Sequence, residues 1–190
     1  MSNLKKLVVA SHNKKKTTEI VKILKDYNIE AITTDDIELP EVEETGTTFE
    51  ENALLKAHSA ANVTGLPALA DDSGLCVDAL DGRPGVYSAR YGDYTKLLEE
   101  MSNIPFGRRT AKFVSVLALV IPNEGVHTFE GTVDGFILTK PKGTFGFGYD
   151  PVFLPEGEQV CFAEMLPEQK ALISHRGRAI NKFISHIKGK

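Results

Sequence analysis

The apolar stretch from Phe113 to Ile121 is the sequence feature that most constrains the fold of this chain. It is rich in valine and leucine, and it lacks the regular polar alternation of a strand with one solvated face. Such a stretch predicts a central β-strand that is buried on both faces. Strand and helix patterns alternate along much of the remaining chain, so we predict an α/β fold built on a mixed sheet.

Hydrophobic periodicity and turn residues place the other elements. Strands are predicted at residues 4–10, 31–34, 67–70, 126–131, 132–138 and 152–154, with an apolar continuation at 75–80. Helices are predicted at residues 17–27, from a capping box at 48–51 through residue 61, at 97–101, and from near Ser174 towards the C-terminus. No linker or repeat interrupts the 190 residues, which predicts a single domain over residues 1–190.

Composition excludes several classes of protein. With 42% hydrophobic and 25% charged residues, the chain can bury a core without disulfides or a structural metal. Its net charge of -4 argues against a broad nucleic-acid surface, which normally makes a domain of this size basic. Cys76 and Cys161 lack the spacing of a zinc site, and neither a signal peptide nor a membrane span is predicted. We therefore expect a cytoplasmic protein that binds neither nucleic acid nor membranes.

Two adjacent carboxylates follow the predicted strand at residues 67–70. Asp71 and Asp72 are succeeded by Ser73 and Gly74. Hard oxygen ligands favour Mg²⁺ over Zn²⁺, and strand alternation would direct only one of the two carboxylates into a given cleft. The same residue types also form ordinary turns. The local pattern therefore leaves a metal site and a turn as alternatives.

A basic loop separates the first predicted strand from the first predicted helix. Residues 11–16 read Ser-His-Asn-Lys-Lys-Lys, and the backbone N–H groups at a helix start favour a bound anion. The loop carries neither a P-loop nor a dinucleotide-binding fingerprint. It fits a phosphate site, and it equally fits a solvated run of lysines.

Three further segments carry candidate site residues. Lys56 lies on the capped helix, where a lysine is usually solvated but where nearby carboxylates could place it beside a phosphate. The segment 143–151 combines glycines with aromatic rings that either stack on a base or fill a core. The segment 174–178 places a histidine and two arginines at a helix N-terminus, where cations are unfavourable without a bound anion or polar ligand.

These segments, taken together and in order, resemble one known family. They are SHNKKK at 11–16, EETG at 43–46, FEENA at 49–53, ADDSG at 70–74, PGVYSARY at 84–91, GFGYDP at 146–151 and SHR at 174–176. The series is similar to the inosine triphosphate pyrophosphatase family, also called Ham1-like or non-standard purine nucleoside triphosphate pyrophosphatases. The resemblance spans nearly the whole chain.

The resemblance implies a fold and an activity. The fold would be an elongated mixed sheet flanked by helices, with two lobes and a nucleotide cleft between them. The protein would be a homodimer that hydrolyses dITP, ITP or XTP to the monophosphate and pyrophosphate with Mg²⁺ as cofactor. Its role would be to sanitise the nucleotide pool.

The resemblance also implies roles for individual residues. Glu43 and Asp72 would bind Mg²⁺, and Asp72 would accept the proton of the attacking water. The residues that would contact the substrate, mainly around its phosphates, are Ser11, His12, Asn13, Lys14, Lys15, Lys16, Ser73 and Lys170, with Lys56 as an addition. The base and sugar pocket would be formed by Phe147, Gly148, Tyr149 and Asp150, and the purine edge would be read by His175 and Arg176.

Some points rest on the alignment alone or depart from it. The preference for Glu43 over Glu41 or Glu44 comes only from the motif. The chain after Tyr91 is shorter than is usual in the family, which weakens any role for Arg90. Two other functions are weighed: a nucleotide-sensing module without turnover, which the metal-side base disfavours, and a pyrophosphatase for modified pyrimidines or methylated nucleotides, which the purine-edge pair disfavours.

Overall fold

A six-stranded mixed sheet forms the framework of the protein in a computed structural model, which describes residues 4–189. Within these residues the strands are β1 Lys6–Val9, β2 Glu30–Ile32, β3 Ala68–Val77, β4 Thr110–Ile121, β5 Gly125–Ile137 and β6 Phe153–Pro155. The α-helices are α1 Lys14–Asp26, α2 Phe49–Thr64, α3 Tyr94–Glu100, α4 Pro167–Ile173 and α5 His175–Ile187. The predicted α/β class is confirmed.

The sheet combines parallel and antiparallel pairs. Its strand order is β2-β1-β3-β4-β5-β6. β1 pairs in parallel with both β2 and β3, whereas β6 pairs antiparallel with β5. A parallel neighbour requires a crossover connection, and α1 and α2 lie in the connections that bring the chain back to β2 and β3.

β4 is the buried strand that the apolar stretch predicts. Every residue from Phe113 to Val120 is buried, so both faces of the strand are covered. The one polar member of this segment, Ser115, has no exposed surface. A buried hydroxyl requires a hydrogen-bond partner, and the partner of Ser115 is the carboxylate of Asp71 on β3.

The first two helices begin with side-chain caps. Asn13 accepts hydrogen bonds from the backbone N–H groups of Lys15 and Lys16, so α1 begins at Lys14 rather than at the predicted residue 17. The three lysines consequently lie in the first helical turn. The capping box predicted at the start of α2 is confirmed, because Thr48 and Glu51 bond reciprocally.

Two strand predictions were wrong. β3 does not end before Asp71 but continues through both aspartates to Val77, so the alternative in which these residues form a turn is excluded. Residues 126–138 were predicted as two strands, whereas β5 is continuous from Gly125 to Ile137. Its buried positions alternate without interruption through Gly131, because a glycine inside a strand need not turn the chain.

Predictions for the helical segments were partly correct. α3 begins at Tyr94, behind the capping residue Asp93, rather than at residue 97. α4 was not predicted; it ends at Ile173, and Ser174 separates it from α5. The hydroxyl of Ser174 accepts a hydrogen bond from the N–H of Gly177 in the first turn of α5, which places the start of that helix where the sequence indicated.

The chain packs as two compact units, each with its own apolar core. Unit 1 comprises the described residues up to Asp72, Ser115–Gly131 and the described residues from Arg178 onward. Unit 2 comprises Ser73–Val114 and Thr132–Gly177. The core of unit 1 includes residues of β1, α1, β4 and α5. The core of unit 2 includes residues of β3, α3 and β5, and of the segment that precedes α4. The prediction of one domain over residues 1–190 stays a prediction.

Arg109 closes the loop before β4 in unit 2. Its guanidinium donates to the backbone carbonyls of Ile137 and Met101 at 2.8 and 2.7 Å, and to those of Ile104 and Leu138 at 3.1 and 3.0 Å. Arg109 is only 2% exposed, and burial lowers its pKa. An arginine satisfied by carbonyl groups in this way fixes the loop to the end of β5.

No helix among residues 4–189 has both the length and the apolarity to cross a membrane.

A histidine pair lies between β5 and α5 in unit 1. The ring centroids of His127 and His186 are 4.3 Å apart, and the ring of Phe129 is 5.3 Å from that of His186. Within residues 4–189 the Nε2 atom of His186 is buried without a hydrogen-bond partner. Burial and the neighbouring His127 both lower the pKa of His186 below its ordinary value of 6.5.

We predict that His186 makes the fold sensitive to acid. Because its pKa is lower in the folded state, its contribution to stability is present above pH 6.5 and is lost as the pH falls through the folded-state pKa. Denaturant unfolding should therefore show a smaller stability loss for His186→Gln than for the wild type between about pH 7.5 and about pH 5.5. His58→Gln, at an exposed position of α2, is the control and should keep the wild-type pH dependence. Equal pH dependence for wild type and His186→Gln would contradict the prediction.

Candidate active site

Two buried carboxylates on β3 form the centre of the candidate site in unit 1. Asp71 and Asp72 are 2% and 4% exposed. As consecutive strand residues they point to opposite faces of the sheet, and each has a different lysine partner. Asp71 Oδ2 lies 3.0 Å from Lys16 Nζ, and Asp72 Oδ1 lies 3.1 Å from Lys56 Nζ. The expectation that the two aspartates serve different directions agrees with this arrangement.

Lys56 connects Asp72 to the acidic loop before α2. Its ammonium donates to Glu44 Oε1 at 2.7 Å as well as to Asp72 Oδ1. The side chain of Lys56 is 17% exposed and that of Glu44 is 26% exposed, so this group is shielded from water but still reachable. Most lysines on a helix surface are solvated, whereas Lys56 on α2 is largely shielded.

The path of the acidic loop is fixed by Asn52. This fully buried residue accepts a hydrogen bond from the N–H of Gly46 at 2.8 Å. A Cβ atom at Gly46 would lie 2.6 Å from Asn52 Oδ1, so a larger residue could not take this position without a shift. The loop thereby passes close to α2, and Glu44 is held two residues before the contact.

The charges in unit 1 shift each other's protonation. Burial raises the pKa of Asp72, although the ammonium groups of Lys56 and Lys16 act to lower it. Burial alone would lower the pKa of Lys56, but the carboxylates of Asp72, Glu44 and Asp71 together raise it. Lys56 therefore stays an ammonium ion at neutral pH.

The carboxylates fit a hard divalent cation. Within residues 4–189, Asp72 Oδ2 is buried and accepts no hydrogen bond, although a buried carboxylate oxygen normally has a partner. The same residues contain no group of three or more His, Cys, Asp or Glu side chains arranged around one point. Mg²⁺ does not require one, because it is commonly held by one or two carboxylates together with waters and substrate phosphates. Glu44 is the loop glutamate brought to Lys56 and Asp72, whereas Glu43 is exposed.

Residues 11–16 lead into the N-terminal end of α1, and their side chains differ in how exposed they are to solvent. Ser11 is 9% exposed, and its hydroxyl accepts a hydrogen bond from the N–H of Asn13. His12 Nε2 donates to the carbonyl of Leu39 at 3.1 Å. Lys14 reaches outward to Asp35 at 3.5 Å, and both side chains are largely exposed. Lys16 contacts the carboxylate of Asp71 on β3, while Lys15 is exposed.

The predicted base-pocket segment lies in unit 2, where Asp150 holds its turn together. Asp150 Oδ2 accepts a hydrogen bond from the N–H of Phe147 at 2.8 Å and an ion-pair contact from Lys170 Nζ at 2.7 Å. A Cβ atom at Gly146, whose φ is +71°, would collide with this carboxylate. The ammonium of Lys170 also lies 4.9 Å from the ring centroid of Phe147. The glycines of the segment therefore allow the chain to close tightly on Asp150.

Arg176 and His175 lie in the same unit and are both nearly buried. Arg176 Nη2 donates to Ser73 Oγ at 2.9 Å, and its guanidinium carbon is 5.9 Å from the ring centroid of Phe147. The ring of His175 stacks on Phe113 at 4.6 Å with an interplanar angle of 8°. His175 is thus packed in an aromatic environment, while Arg176 joins the first residue after the aspartates to the predicted base pocket.

Tyr149 is anchored to the segment around residue 88. Its hydroxyl donates to the carbonyl of Ser88 at 2.8 Å, and the hydroxyl of Ser88 accepts from the N–H of Leu75 at 2.9 Å. Burial, reinforced by the charge of Asp93, raises the pKa of Tyr149 to about 12. Its phenol is therefore neutral and structural. Arg90 is exposed and lies 5.4 Å from the ring centroid of Tyr87.

The sequence interpretation missed three residues of this region. The motif leaves Glu44 only as an alternative to Glu43, and the sequence pattern assigns no role to Asn52. Ser115 was read as part of an apolar strand, yet its hydroxyl lies 2.5 Å from Asp71 Oδ1. The available signal was the presence of a polar residue inside a doubly buried strand, since such a residue must find a partner.

The chain matches a known family over most of its length. The model of the Ham1 family matches residues 7–186. The dITP/XTP pyrophosphatase of Geobacter sulfurreducens is 50% identical over 191 residues, which cover 96% of this chain and 96% of the relative. The structure of a HAM1 protein from Coxiella burnetii superposes with a TM-score of 0.87 at 39% identity, covering 97% and 99% of the two chains.

A third relative is described by the same activity. The crystal structure of the nucleoside-triphosphatase / dITP/XTP pyrophosphatase of Mycobacterium abscessus has a TM-score of 0.74 and 45% identity, covering 94% of this chain and 98% of that one. The fold therefore defines an α/β protein of the kind seen in these relatives. The chain belongs to the Ham1 family, which confirms the resemblance found in the sequence.

We predict that the Asp150–Lys170 pair is required for the stability of unit 2. The side chains are 3% and 6% exposed, so Lys170→Met leaves a buried carboxylate without its ammonium. The loss should be about 3–5 kcal/mol in denaturant unfolding, as for other broken buried pairs. The double variant Asp150→Asn/Lys170→Met removes both charges and should recover part of that loss. Wild-type stability of Lys170→Met would contradict the prediction.

Proposed function

We propose that this protein is a Mg²⁺-dependent pyrophosphatase that hydrolyses dITP, ITP and XTP to the monophosphate and pyrophosphate. The observation that carries the proposal is the buried Asp72 carboxylate, which shares Lys56 with Glu44 and keeps one oxygen open among residues 4–189. Its relatives of similar length are named dITP/XTP pyrophosphatase, which supports the same activity here.

The triphosphate would bind to unit 1. The N-terminus of α1 supplies backbone N–H groups and a positive dipole end, and Lys16 and Lys56 supply ammonium groups. Attack at the α-phosphorus builds negative charge on its oxygens and on the departing pyrophosphate. Fixed cations at these positions would stabilise that charge electrostatically. Ser11, His12 and Asn13 would shape the same helix end.

The carboxylates of unit 1 would hold the metal ion. Asp72 and Glu44 fit this role by their shared contact with Lys56, and Glu43 is the candidate that the motif alignment favours. A bound Mg²⁺ supplies charge neutralisation and orientation of the phosphates. The names of these relatives specify no metal, so Mg²⁺ is part of the proposal.

Asp72 would also act as the general base. A carboxylate whose pKa is raised by burial is a better proton acceptor than a solvated one. It would accept a proton from the water that attacks the α-phosphorus, while the bond between the α-phosphorus and the bridging oxygen breaks. Pyrophosphate then leaves with the electron pair of that bond. Lys56 would keep the carboxylate oriented during this step.

The base would be bound by residues of unit 2. Phe147, Gly148, Tyr149 and Asp150 would form the base and sugar pocket, with Phe147 as the stacking ring. A 6-oxo purine offers an acceptor where adenine offers an amino donor, so the Arg176 guanidinium would favour hypoxanthine and xanthine. Leaving that donor unpaired against adenine would cost about 1–3 kcal/mol. His175 would support Arg176 at this edge.

Two further properties that the family resemblance implies are also proposed here. They are the homodimeric state and the cytoplasmic location, in which the enzyme would remove deaminated purine nucleotides from the pool. Light scattering coupled to size-exclusion chromatography measures the first of these directly.

The activity is tested by pyrophosphate release with Mg²⁺ from dITP, XTP, dGTP and ATP. We expect rapid release from dITP and XTP and slow release from dGTP and ATP. Asp72→Asn should lower kcat by about 10²–10⁴-fold, because it removes the proton acceptor. Asp78→Asn, an exposed aspartate just after β3, is the control and should retain activity. If dITP binds to the wild type without turnover of any substrate, the protein is a nucleotide sensor and not this enzyme.

The identity of the glutamate ligand is tested by comparing Glu44→Gln with Glu43→Gln. If Glu44 holds the cation, its substitution should raise the Mg²⁺ concentration for half-maximal activity by about tenfold, and Glu43→Gln should change it little. The measurement is a Mg²⁺ titration of dITP hydrolysis, with Glu41→Gln as a further loop control. The reverse ranking of Glu43 and Glu44 would favour the ligand indicated by the motif.

A further inference from the structure

The hydroxyl of Ser115 is the only side-chain hydroxyl within the described segment Thr110–Ile121 that is fully buried. It lies in the middle of β4, between apolar neighbours on both sides along the strand. Its Oγ atom is 2.5 Å from Asp71 Oδ1. A hydroxyl donating to a carboxylate at this separation is a short, charge-assisted hydrogen bond.

The second oxygen of the same carboxylate holds Lys16. Asp71 Oδ2 is 3.0 Å from Lys16 Nζ, and the two side chains are 0% and 15% exposed respectively. Ser115, Asp71 and Lys16 therefore form a linear chain of contacts within unit 1. The chain begins in the buried sheet and ends in the first turn of α1, where the ammonium retains some solvent access.

Such a chain restricts the end of a flexible side chain. A free lysine loses rotamer freedom when it is immobilised, and this loss opposes ligand binding. If the ammonium is already held by a carboxylate of fixed orientation, part of that loss has occurred before a ligand binds. The hydroxyl of Ser115 restricts rotation of the Asp71 carboxylate about its Cβ–Cγ bond.

We propose that Ser115 is a positioning residue for phosphate binding, acting through Asp71 on Lys16. The inference rests on the proposed function only in taking Lys16 as a phosphate contact. Ser115 does not touch the substrate in this role. Its hydroxyl orients Asp71, and Asp71 directs the ammonium of Lys16 towards the N-terminal end of α1.

The test measures binding of inorganic triphosphate by calorimetry and, separately, the kinetics of dITP hydrolysis. Ser115→Ala should weaken triphosphate binding by about tenfold, the size typical of residues that orient a direct ligand contact. The KM for dITP should rise by a similar factor, and any loss of kcat should be much smaller than that of Asp72→Asn, because the general base is not touched. Ser115→Cys, which keeps a weak donor of similar size, should restore part of the affinity.

A structural role alone is separated by two controls. Val116→Ala removes buried volume from the adjacent position of β4, whose side chain points to the other face, so it should lower stability without changing triphosphate affinity. In a Lys16→Met background, Ser115→Ala should cause no further loss of affinity, since the residue through which it acts is gone.

The outcomes distinguish this inference from the proposed function. Unchanged triphosphate affinity in Ser115→Ala, or an equal loss in the Lys16→Met background, overturns the role of Ser115. Turnover is a separate readout: if the wild type binds triphosphate with the predicted dependence on Ser115 and Lys16 but does not hydrolyse dITP, the proposed activity fails and the positioning role stands.

Discussion

The structure of unit 1 depends on the burial of two neighbouring carboxylates in the middle of β3. Removing carboxylates from water costs free energy, and this cost is offset only when cations and hydrogen-bond donors lie at short distance. Asp71 takes Lys16 from α1 and the hydroxyl of Ser115 from β4, while Asp72 takes Lys56 from α2. Two helices and a second strand are thus tied to one point of the sheet. Electrostatic contacts therefore determine the local arrangement of these elements as much as apolar packing does.

The same requirement gives the site its chemical character. Because Lys56 is shared between Asp72 and Glu44, its ammonium is fixed and its charge is maintained. Asp72 keeps one buried oxygen without a hydrogen-bond partner among residues 4–189, which is unfavourable for stability unless a cation or a water is bound there. Polar groups that are incompletely satisfied in the absence of ligand are common where a protein binds its substrate, and this one lies beside the lysines that suit a phosphate chain.

Unit 2 solves a comparable problem with different partners. The Asp150–Lys170 pair is buried, and it fixes the turn that carries Phe147. Arg109 is satisfied by backbone carbonyls, and Tyr149 by the carbonyl of Ser88. Each of these contacts uses a polar group to fix a loop or turn of unit 2. Internal hydrogen bonds consequently hold the residues proposed for base recognition in place.

The sequence by itself determined the α/β class, the buried strand β4, the capped start of α2 and the residue types of the site, because these depend on periodicity, capping and motifs that are local in the chain. It could not determine that β3 continues through the aspartates or that β5 is unbroken at Gly131, since local residues there are compatible with a turn as well as a strand. Only the tertiary structure decided that Glu44 rather than Glu43 meets Lys56, and that Ser115 meets Asp71. These pairs are separated by many residues along the chain, and their contacts arise from how the strands and helices pack, which no local pattern encodes.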